Sequence, residues 1–328
     1  MPKYNGDYYK AFAHLRTDTN PTRWSATTNH RAPHKPLLLL AVMDLIAQGV
    51  IGTNFIGPSP SLVDVVDLYW TKVIGQANAS SLILPFSHLQ SDGFWRLVPV
   101  PDMETALVAT RHIRTFTQLR QMVLGAKLDD LLFMLLLDAH ERDRLRRVLI
   151  ETYFAPELRA KLVEVSQIMA ESFEYSRELL DRARGRFSLH EAPTTQEQYL
   201  SESRSTAFRR VVVDAYDHTC ALCGIRIVTP EGRTAVAAAH IVPWSLSHND
   251  DPRNGMTLCG LHHWTFDQGI VGVRHDYHIK VSSIISKDDE RIQPLLTLDN
   301  QVLQRPADNT LWPAEEAVRW HTKNVYRP

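Results

Sequence analysis

The sequence predicts an α+β fold, with a mostly helical N-terminal domain that contains short strands and a smaller mixed domain at the C-terminus. The chain of 328 residues is long enough for two domains. Apolar stretches with helical spacing dominate the first half, where residues 93–98 alternate like a strand. All three cysteines fall within one window of 40 residues near the C-terminus. We place the N-terminal domain at 1–157, a helical and polar linker at 158–204 and the C-terminal domain at 205–328.

Composition restricts the class of protein. Hydrophobic residues make up 44% of the chain and charged residues 22%, which excludes a disordered, collagen-like or low-complexity protein. With 36 Lys and Arg against 37 Asp and Glu, the chain is not a strongly basic nucleic-acid coat, although a locally basic face is compatible with this balance. Three cysteines exclude a disulfide-stapled secreted scaffold. We find no signal peptide and no membrane span, so a cytoplasmic protein is expected.

The elements of the N-terminal domain follow from hydrophobic spacing. A short amphipathic helix is predicted within 4–16. A helix that is apolar nearly all round follows over 37–48, with Pro36 in its first turn, and is expected to form the core. A further helix is predicted over 62–74, and two packed helices over 128–154. The charged residues of that helical pair are expected on solvated faces: Asp129, Asp130, Arg144, Arg146 and Arg147.

The predicted linker changes composition along its length. Residues 158–186 are rich in Leu, Glu, Arg and Ala with a helical period, whereas 188–205 is polar and contains Pro193. The helical part is either a surface for a homodimer or a linker helix that packs on its own chain, and its residues favour neither.

The cysteines fit a metal site. Cys220 and Cys223 form a CxxC pair, and Cys259 and His262 form a CxxH pair. The two-residue spacing lets both ligands of one turn reach the same ion, and a closed set of four ligands is typical of structural Zn²⁺. Ordinary buried thiols and a redox CxxC are the alternatives, but both leave the positions of Cys259 and His262 to coincidence.

Three further polar residues accompany this pattern, in the order His240, Asn254 and His263. His240 lies in a run that reads as a strand, and His263 directly follows a predicted zinc ligand. With the cysteines, the segment 205–285 resembles the HNH endonucleases of the zinc-containing ββα-metal type. The stretches that resemble the restriction-associated branch of that family are 215–220, 239–245 and 266–269.

The resemblance implies a metal-dependent DNA endonuclease. It gives His240 the role of general base, Asn254 that of holding the strand and loop in place, and His263 that of a ligand for Mg²⁺ or Mn²⁺. Hydrolysis of a phosphodiester needs a base for the attacking water and a cation at the departing oxygen. A histidine titrates near neutral pH, which suits the first task.

The second protein ligand of that catalytic metal is open. Many HNH enzymes carry an Asp directly before the first His, and this chain has Ala239 there. Asp267, one helical turn beyond His263, is the candidate, with a role in capping or orientation as the alternative. The other histidines of this domain are expected at the surface or in loops: His218, His248, His275 and His278.

Basic residues of the N-terminal domain form two groups. The first precedes the core helix and contains His30, Arg31, His34 and Lys35. The second contains Arg111 and Arg114. Free N–H groups at a helix N-terminus and basic side chains both bind phosphate, so contact with the DNA backbone is predicted. A solvated, charged cap on the core helix is the alternative.

The N-terminal domain also resembles a known family, the sulfur-binding domain of phosphorothioate-dependent type IV restriction endonucleases, over 4–156. The segments that carry the resemblance are 31–40, 84–95 and 128–154, of which the first and the last match best. The resemblance implies that His30 and Arg31 lie at the DNA and that Leu84, Pro85 and His88 line a pocket for the modification. Sulfur is larger and less hydrated than oxygen, so a small apolar pocket beside a basic rim can prefer it.

These observations predict a modification-dependent DNA endonuclease with modified double-stranded DNA as its partner. One alternative is an HNH nuclease whose N-terminal domain recognises another DNA modification or an unmodified DNA sequence. An alternative from another class is a zinc-containing DNA-binding protein without catalysis. The complete set of His240, Asn254 and His263 favours the nuclease.

Overall fold

The chain folds into two compact units. The computed structural model describes residues 7–75, 82–110, 113, 115–190, 201–229, 232–286 and 290–328. The first unit comprises Met1–Ala170 and Thr229–Arg233, and the second comprises Glu171–Val228 and Thr234–Pro328. Each unit combines helices with two-stranded antiparallel sheet, which confirms a mixed fold of helices and short strands.

The first unit is mostly helical. Its helices, in chain order, are α1 (Tyr8–Ala13), α2 (His34–Ala47), α3 (Pro60–Val73), α4 (Ile83–His88), α5 (Glu104–Ala109), α6 (Phe116–Met122), α7 (Asp130–Leu137) and α8 (Ala139–Tyr153). Its two strands, β1 (Trp95–Pro99) and β2 (Val123–Leu128), pair antiparallel. A long helix, α9 (Pro156–Ala183), begins in the first unit and ends in the second.

The apolar helix α2 forms the centre of the first unit. Its residues from Lys35 to Ile46 are all buried, as expected for a helix with apolar side chains on every face. The other predicted helices and the strand β1 are also confirmed. The sequence missed β2, and Leu128 ends this strand instead of starting a helix. Gly125 in its centre obscures the alternating pattern, and a side chain there would collide with the ring of Phe55, 2.6 Å away.

Two charged residues that were expected on solvated faces are largely shielded from solvent. Arg146 lies 2.7 Å from the carboxylate of Asp44, to which Tyr69 and Ser166 also donate hydrogen bonds of 2.6 and 2.8 Å. Asp129 is 3% exposed. The expectation for these two residues was wrong because helical spacing does not reveal a buried partner on another helix. Since each charge here is hydrogen-bonded, its burial is tolerated.

The helix α9 contributes to the core of both units. Leu162 and Val165 are buried in its first half, and Tyr175 and Leu179 in its second half. The boundary between the units falls at 170/171, inside the segment for which the sequence predicted a linker. The difference arises because the apolar residues of this segment keep their helical period, so that it packs as part of each unit.

The second unit has a strand–strand–helix centre. Its remaining elements are α10 (Ser201–Ala215), β3 (Val236–His240), α11 (Trp244–Ser247), β4 (Gly255–Cys259), α12 (Gly260–Asp267), β5 (Val271–Val273), β6 (Ile279–Val281), α13 (Gln293–Leu296) and α14 (Glu315–Asn324). Strand β3 pairs antiparallel with β4, and α12 follows β4 without a loop. Strands β5 and β6 form a separate antiparallel hairpin. The predicted strand at His240 and the helix at His263 are confirmed.

None of the described helices is both long and apolar enough to cross a membrane. The helix α9 has the length, with 28 residues, but carries charged side chains along it.

Candidate active site and nucleic-acid interface

Three thiols and an imidazole form a cluster in the second unit. Cys220 and Cys223 lie on a tight turn, in which Gly224 has a φ of 69° and donates its N–H to the Cys220 carbonyl. Cys259 ends β4 and His262 lies in the first turn of α12, so the CxxH pair spans a junction between strand and helix. The four ligand atoms lie within 4.8 Å of one another. The structure therefore brings together all four predicted zinc ligands.

The geometry of this cluster fits a tetrahedral metal ion. The Nδ1 atom of His262 lies 3.5 Å from the Cys220 sulfur and 3.2 Å from the Cys259 sulfur. Ligands that bind one zinc at about 2.0–2.3 Å lie at similar distances from one another. Burial raises the pKa of Cys223 and of Cys259, whereas for Cys220 hydrogen bonds from His262 and from backbone amides outweigh burial and lower the pKa to about 6. The spacing of the four ligand atoms is what allows the cluster to hold a metal ion.

The candidate general base, His240, is the last residue of β3. Its Nε2 atom lies 3.0 Å from Oδ1 of Asp250. Its ring stacks flat on the ring of Phe208, at 3.8 Å between centroids and 4° between planes. Phe208 can approach this closely because the residue that pairs with His240 on β4 is Gly255. A Cβ at Gly255 would lie 2.8 Å from the Phe208 ring. The imidazole is thus fixed in orientation by a carboxylate and by an aromatic face.

Asp250 is a functional candidate that the sequence analysis missed. Its side chain is 4% exposed, and its second oxygen accepts a 3.2 Å hydrogen bond from the hydroxyl of Tyr175. The neighbouring polar residues Asn249 and Asp251 are buried as well. The sequence contained one signal for this site, the run of polar residues between His240 and Asn254. Polar residues are buried only when they have hydrogen-bonding partners, so a buried run of this kind marks a hydrogen-bonded site.

Asn254 holds the loop that follows the base-bearing strand. The side-chain oxygen of Asn254 accepts a 2.9 Å hydrogen bond from the Val242 N–H, and its Nδ2 donates to the carbonyls of Val242 and Asn249. Its own carbonyl accepts from the Ile241 N–H at 2.8 Å. The side chain is fully buried. These contacts tie both ends of the loop together, so Asn254 positions His240 without touching it.

His263 and Asp267 lie on one face of α12. The Nε2 atom of His263 is 3.7 Å from Oδ2 of Asp267, and both side chains are accessible to solvent, at 36% and 56%. An imidazole nitrogen beside a carboxylate oxygen is a donor set that divalent ions accept, with water completing the coordination. Ala239, by contrast, is buried in the core. The donor pair therefore fits the metal predicted at His263.

A cavity of about 250 Å³ in the first unit is lined in part by the three residues that were predicted to form a pocket for the modification. Leu84, Pro85 and His88 project into it from α4. Its remaining lining residues come from the N-terminal segment and the start of α2: Arg16, Thr17, Asp18, Arg23, Trp24, Ala32, His34 and Lys35. The sequence analysis missed Arg16 and Arg23, which bracket the polar stretch before His30. The cavity is thus lined by apolar side chains and by two exposed arginines, of which Arg23 lies 3.6 Å from Asp18.

The four basic residues before the core helix have different environments. His30 is exposed, and its Nδ1 lies 2.9 Å from the Trp24 carbonyl. Arg31 lies over the ring of Tyr153. Burial lowers the pKa of His34 to about 4, so this ring is neutral at pH 7. The ammonium of Lys35 lies 2.6 Å from Asp92, and both side chains are buried.

The second basic group cannot be placed. Arg111 and Arg114 lie outside the described residues. Their predicted contact with DNA stays a prediction.

A comparison with protein families supports the reading of the second unit. Residues 220–274 match the HNH endonuclease family. The chain contains an HNH endonuclease domain. This segment includes the three residues predicted for catalysis and the four predicted for zinc. The match supports a DNA endonuclease, and the polar centre around His240 is therefore its candidate active site.

A comparison with solved structures finds similarity to a "Modification dependent TagI restriction endonuclease". The identity is 22% and the TM-score 0.27, over 36% of this chain and 37% of that chain. The similarity therefore spans little more than a third of that protein. No curated protein matches the chain.

Proposed function

We propose that the protein is a type IV restriction endonuclease that recognises phosphorothioate-modified DNA with its first unit and hydrolyses DNA with its second. The buried Asp250 carboxylate, 3.0 Å from His240, is the observation that carries the nuclease half of the proposal. The cavity beside Leu84 and Pro85 supports the reading half.

His240 acts as the general base in this proposal. The tautomer that donates Nε2–H to Asp250 leaves Nδ1 as the basic nitrogen of the ring. A water molecule between Nδ1 and a DNA phosphate can then lose its proton to His240 while its oxygen attacks the phosphorus. The Asp250 carboxylate stabilises the imidazolium that results, and stacking on Phe208 keeps the ring in place.

His263 and Asp267 would hold the catalytic cation, Mg²⁺ or Mn²⁺. A divalent ion bound by these two side chains would supply positive charge for the hydrolysis of a phosphodiester. Asn254 contributes by holding the loop after β3 so that His240 stays on its face of the sheet.

Structural zinc would be held by Cys220, Cys223, Cys259 and His262. An ion held by these residues would join the turn at Cys220 to the junction between β4 and α12, and would so stabilise the centre that carries the candidate active site. Metal analysis of the purified chain should find one zinc per molecule, and Cys220→Ser should lose it. A parent protein that folds and contains no zinc contradicts the assignment.

The cavity in the first unit suits a backbone in which sulfur replaces oxygen. The apolar side chains of Leu84 and Pro85 can contact a poorly hydrated sulfur atom, whereas a phosphate oxygen there would lose hydrogen bonds to water. Arg16 and Arg23 are exposed and can bind the phosphates on either side.

Two copies of the chain, one for each strand, would produce a double-strand break, and sedimentation on DNA would detect such a homodimer.

Cleavage of three matched duplexes tests this function. Duplexes with a phosphorothioate, with methylated cytosine and without modification are incubated with the full chain and Mg²⁺ or Mn²⁺. The phosphorothioate duplex should be cut fastest. Preferential cutting of the methylated duplex would assign another modification to the cavity, and equal cutting of all three would reject modification-dependent reading.

A further inference from the structure

A second concave surface of the second unit is lined by basic residues. This basic cleft has a volume of about 500 Å³ and is lined by Arg274, His275, Lys280, Arg319, Thr322 and Lys323. Neither the predicted catalytic residues nor the predicted zinc ligands contribute to it. All six side chains can donate hydrogen bonds, and none of the described lining residues is a carboxylate. In a chain with a net charge of −1, this is a local concentration of positive charge.

Two elements bring these side chains together. Arg274 and His275 lie in the turn between β5 and β6, and Lys280 lies on β6. Arg319 and Lys323 lie on α14 at positions i and i+4, which share one helix face. The opposite face of α14, which includes Val318 and His321, is buried, so the helix can turn only its basic face to the cleft.

The positive charge of the cleft is only partly neutralised. Arg274 pairs with Asp276, and Arg319 pairs with Glu315. Among the described residues, neither Lys280 nor Lys323 has a carboxylate within ion-pairing distance. The ammonium of Lys280 lies 5.1 Å from the centroid of the Tyr326 ring. Such a contact attracts the cation but does not neutralise its charge.

The helix dipole accounts for the unpaired positive charge of only one of these two lysines. Lys323 lies in the last turn of α14, where a cation is favoured. Lys280 lies on a strand, and strands have no comparable dipole. Both ammonium groups line one concave surface, and an anion bound there would be attracted to both of them.

We propose that the basic cleft binds the sugar–phosphate backbone of duplex DNA, at phosphates other than the one that is cleaved. This inference rests on the proposed function, because the partner it names is the substrate of the nuclease. Duplex DNA presents phosphates at regular short intervals, so one stretch of backbone can engage Lys280 from the hairpin and Lys323 from the helix. Such contacts contribute to affinity and orientation without reading the sequence.

The salt dependence of DNA binding tests this proposal. The full chain and the variant Lys280→Ala/Lys323→Ala are titrated with a fluorescent unmodified duplex at several salt concentrations, without added Mg²⁺ or Mn²⁺. Each lost phosphate contact lowers the slope of log affinity against log salt by about 0.9, so the double variant should lose about 1.8. The rate of cleavage at saturating DNA should stay within about twofold of the parent, because only uniform binding is removed.

The matched control removes two cations elsewhere, with Lys161→Ala/Arg184→Ala. Both residues are exposed, and this variant should keep the parental slope. An unchanged slope in the Lys280→Ala/Lys323→Ala protein overturns the proposal, as does an equal loss of slope in the control. Thermal unfolding of both variants verifies that each remains folded.

The same experiment separates the cleft from the active site. A parent protein that never cuts DNA, but whose slope falls when the two lysines are replaced, rejects the nuclease and supports the cleft. If the parent cuts DNA and replacement of the two lysines leaves the salt dependence of its DNA binding unchanged, DNA binding by the cleft is rejected and the nuclease function is retained.

Discussion

The candidate active site and the cavity beside Leu84 differ in what holds their polar residues. In the second unit, the Nε2 of His240 and the side chain of Asn254 are fixed by buried hydrogen-bonding partners. In the first unit, Lys35 is neutralised by Asp92 and burial keeps His34 uncharged, so the fold itself uses residues that were predicted to bind DNA. Metal and catalytic motifs thus specify geometry through their spacing, whereas a run of basic residues specifies charge but not its accessibility.

The largest expected effect is on catalysis. Replacement of the base with His240→Ala should lower the rate of DNA cleavage by about 10²–10⁴-fold, because general base catalysis is lost. Binding of DNA should be unchanged, and His190→Ala, at an exposed histidine of the same unit, should cut like the parent. Single-turnover cleavage assays measure both variants. Cleavage by His240→Ala at the parental rate would assign the base to another residue.

The next effect tests whether Lys35 is structural. Lys35→Met leaves Asp92 buried without its cation and should lower the free energy of unfolding by about 3–5 kcal/mol. Arg23→Ala, at an exposed residue of the same cavity, should change stability by less than about 0.5 kcal/mol and weaken DNA binding instead. Denaturant unfolding and DNA titration measure the two quantities. If Lys35→Met is as stable as the parent and binds DNA poorly, Lys35 is a DNA contact and the comparison fails.

A smaller effect is expected for the residues that orient His240. Asp250→Asn should reduce the cleavage rate by roughly 10–100-fold, which corresponds to the loss of a hydrogen bond to a charged group. Tyr175→Phe removes only a neutral donor to that carboxylate and should reduce the rate less. Rate measurements at saturating DNA distinguish this loss from weaker binding. An Asp250→Asn protein with full activity would show that Asp250 only stabilises the loop.

The smallest effect concerns stability against pH, where the two units behave alike. His321 is buried against Phe266, and burial lowers its pKa to about 4. Since an unfolded histidine titrates near 6.5, stability is complete above that pH and decreases as the pH falls towards 4. The loss between pH 7 and pH 5 should be about 2 kcal/mol for this residue. Thermal unfolding of the parent and of His321→Phe checks it, and an equal pH dependence in both excludes His321 as the cause.

The sequence predicted those features that depend on local spacing. The core helix α2, the strand that carries His240 and the grouping of Cys220 with His262 all follow from periodicity or ligand spacing. Asp250 and Tyr175 do not follow from spacing, because Asp250 reaches His240 through the fold of the loop between them. Tyr175 lies 75 positions before Asp250 and contacts its carboxylate only in the tertiary structure. Arg146 was misplaced for the same reason, since its partner Asp44 lies on another helix.

The central claim is that one chain joins a cutting centre to a cavity that reads modified DNA. Cleavage of phosphorothioate and unmodified duplexes by Leu84→Glu tests it most directly, because the new carboxylate repels phosphate from the cavity while the residues around His240 stay intact. We expect this variant to cut both duplexes at the same slow rate, whereas His240→Ala should cut both about 10²–10⁴-fold more slowly than the parent. A Leu84→Glu protein that still prefers the phosphorothioate duplex would contradict a reading role for the cavity.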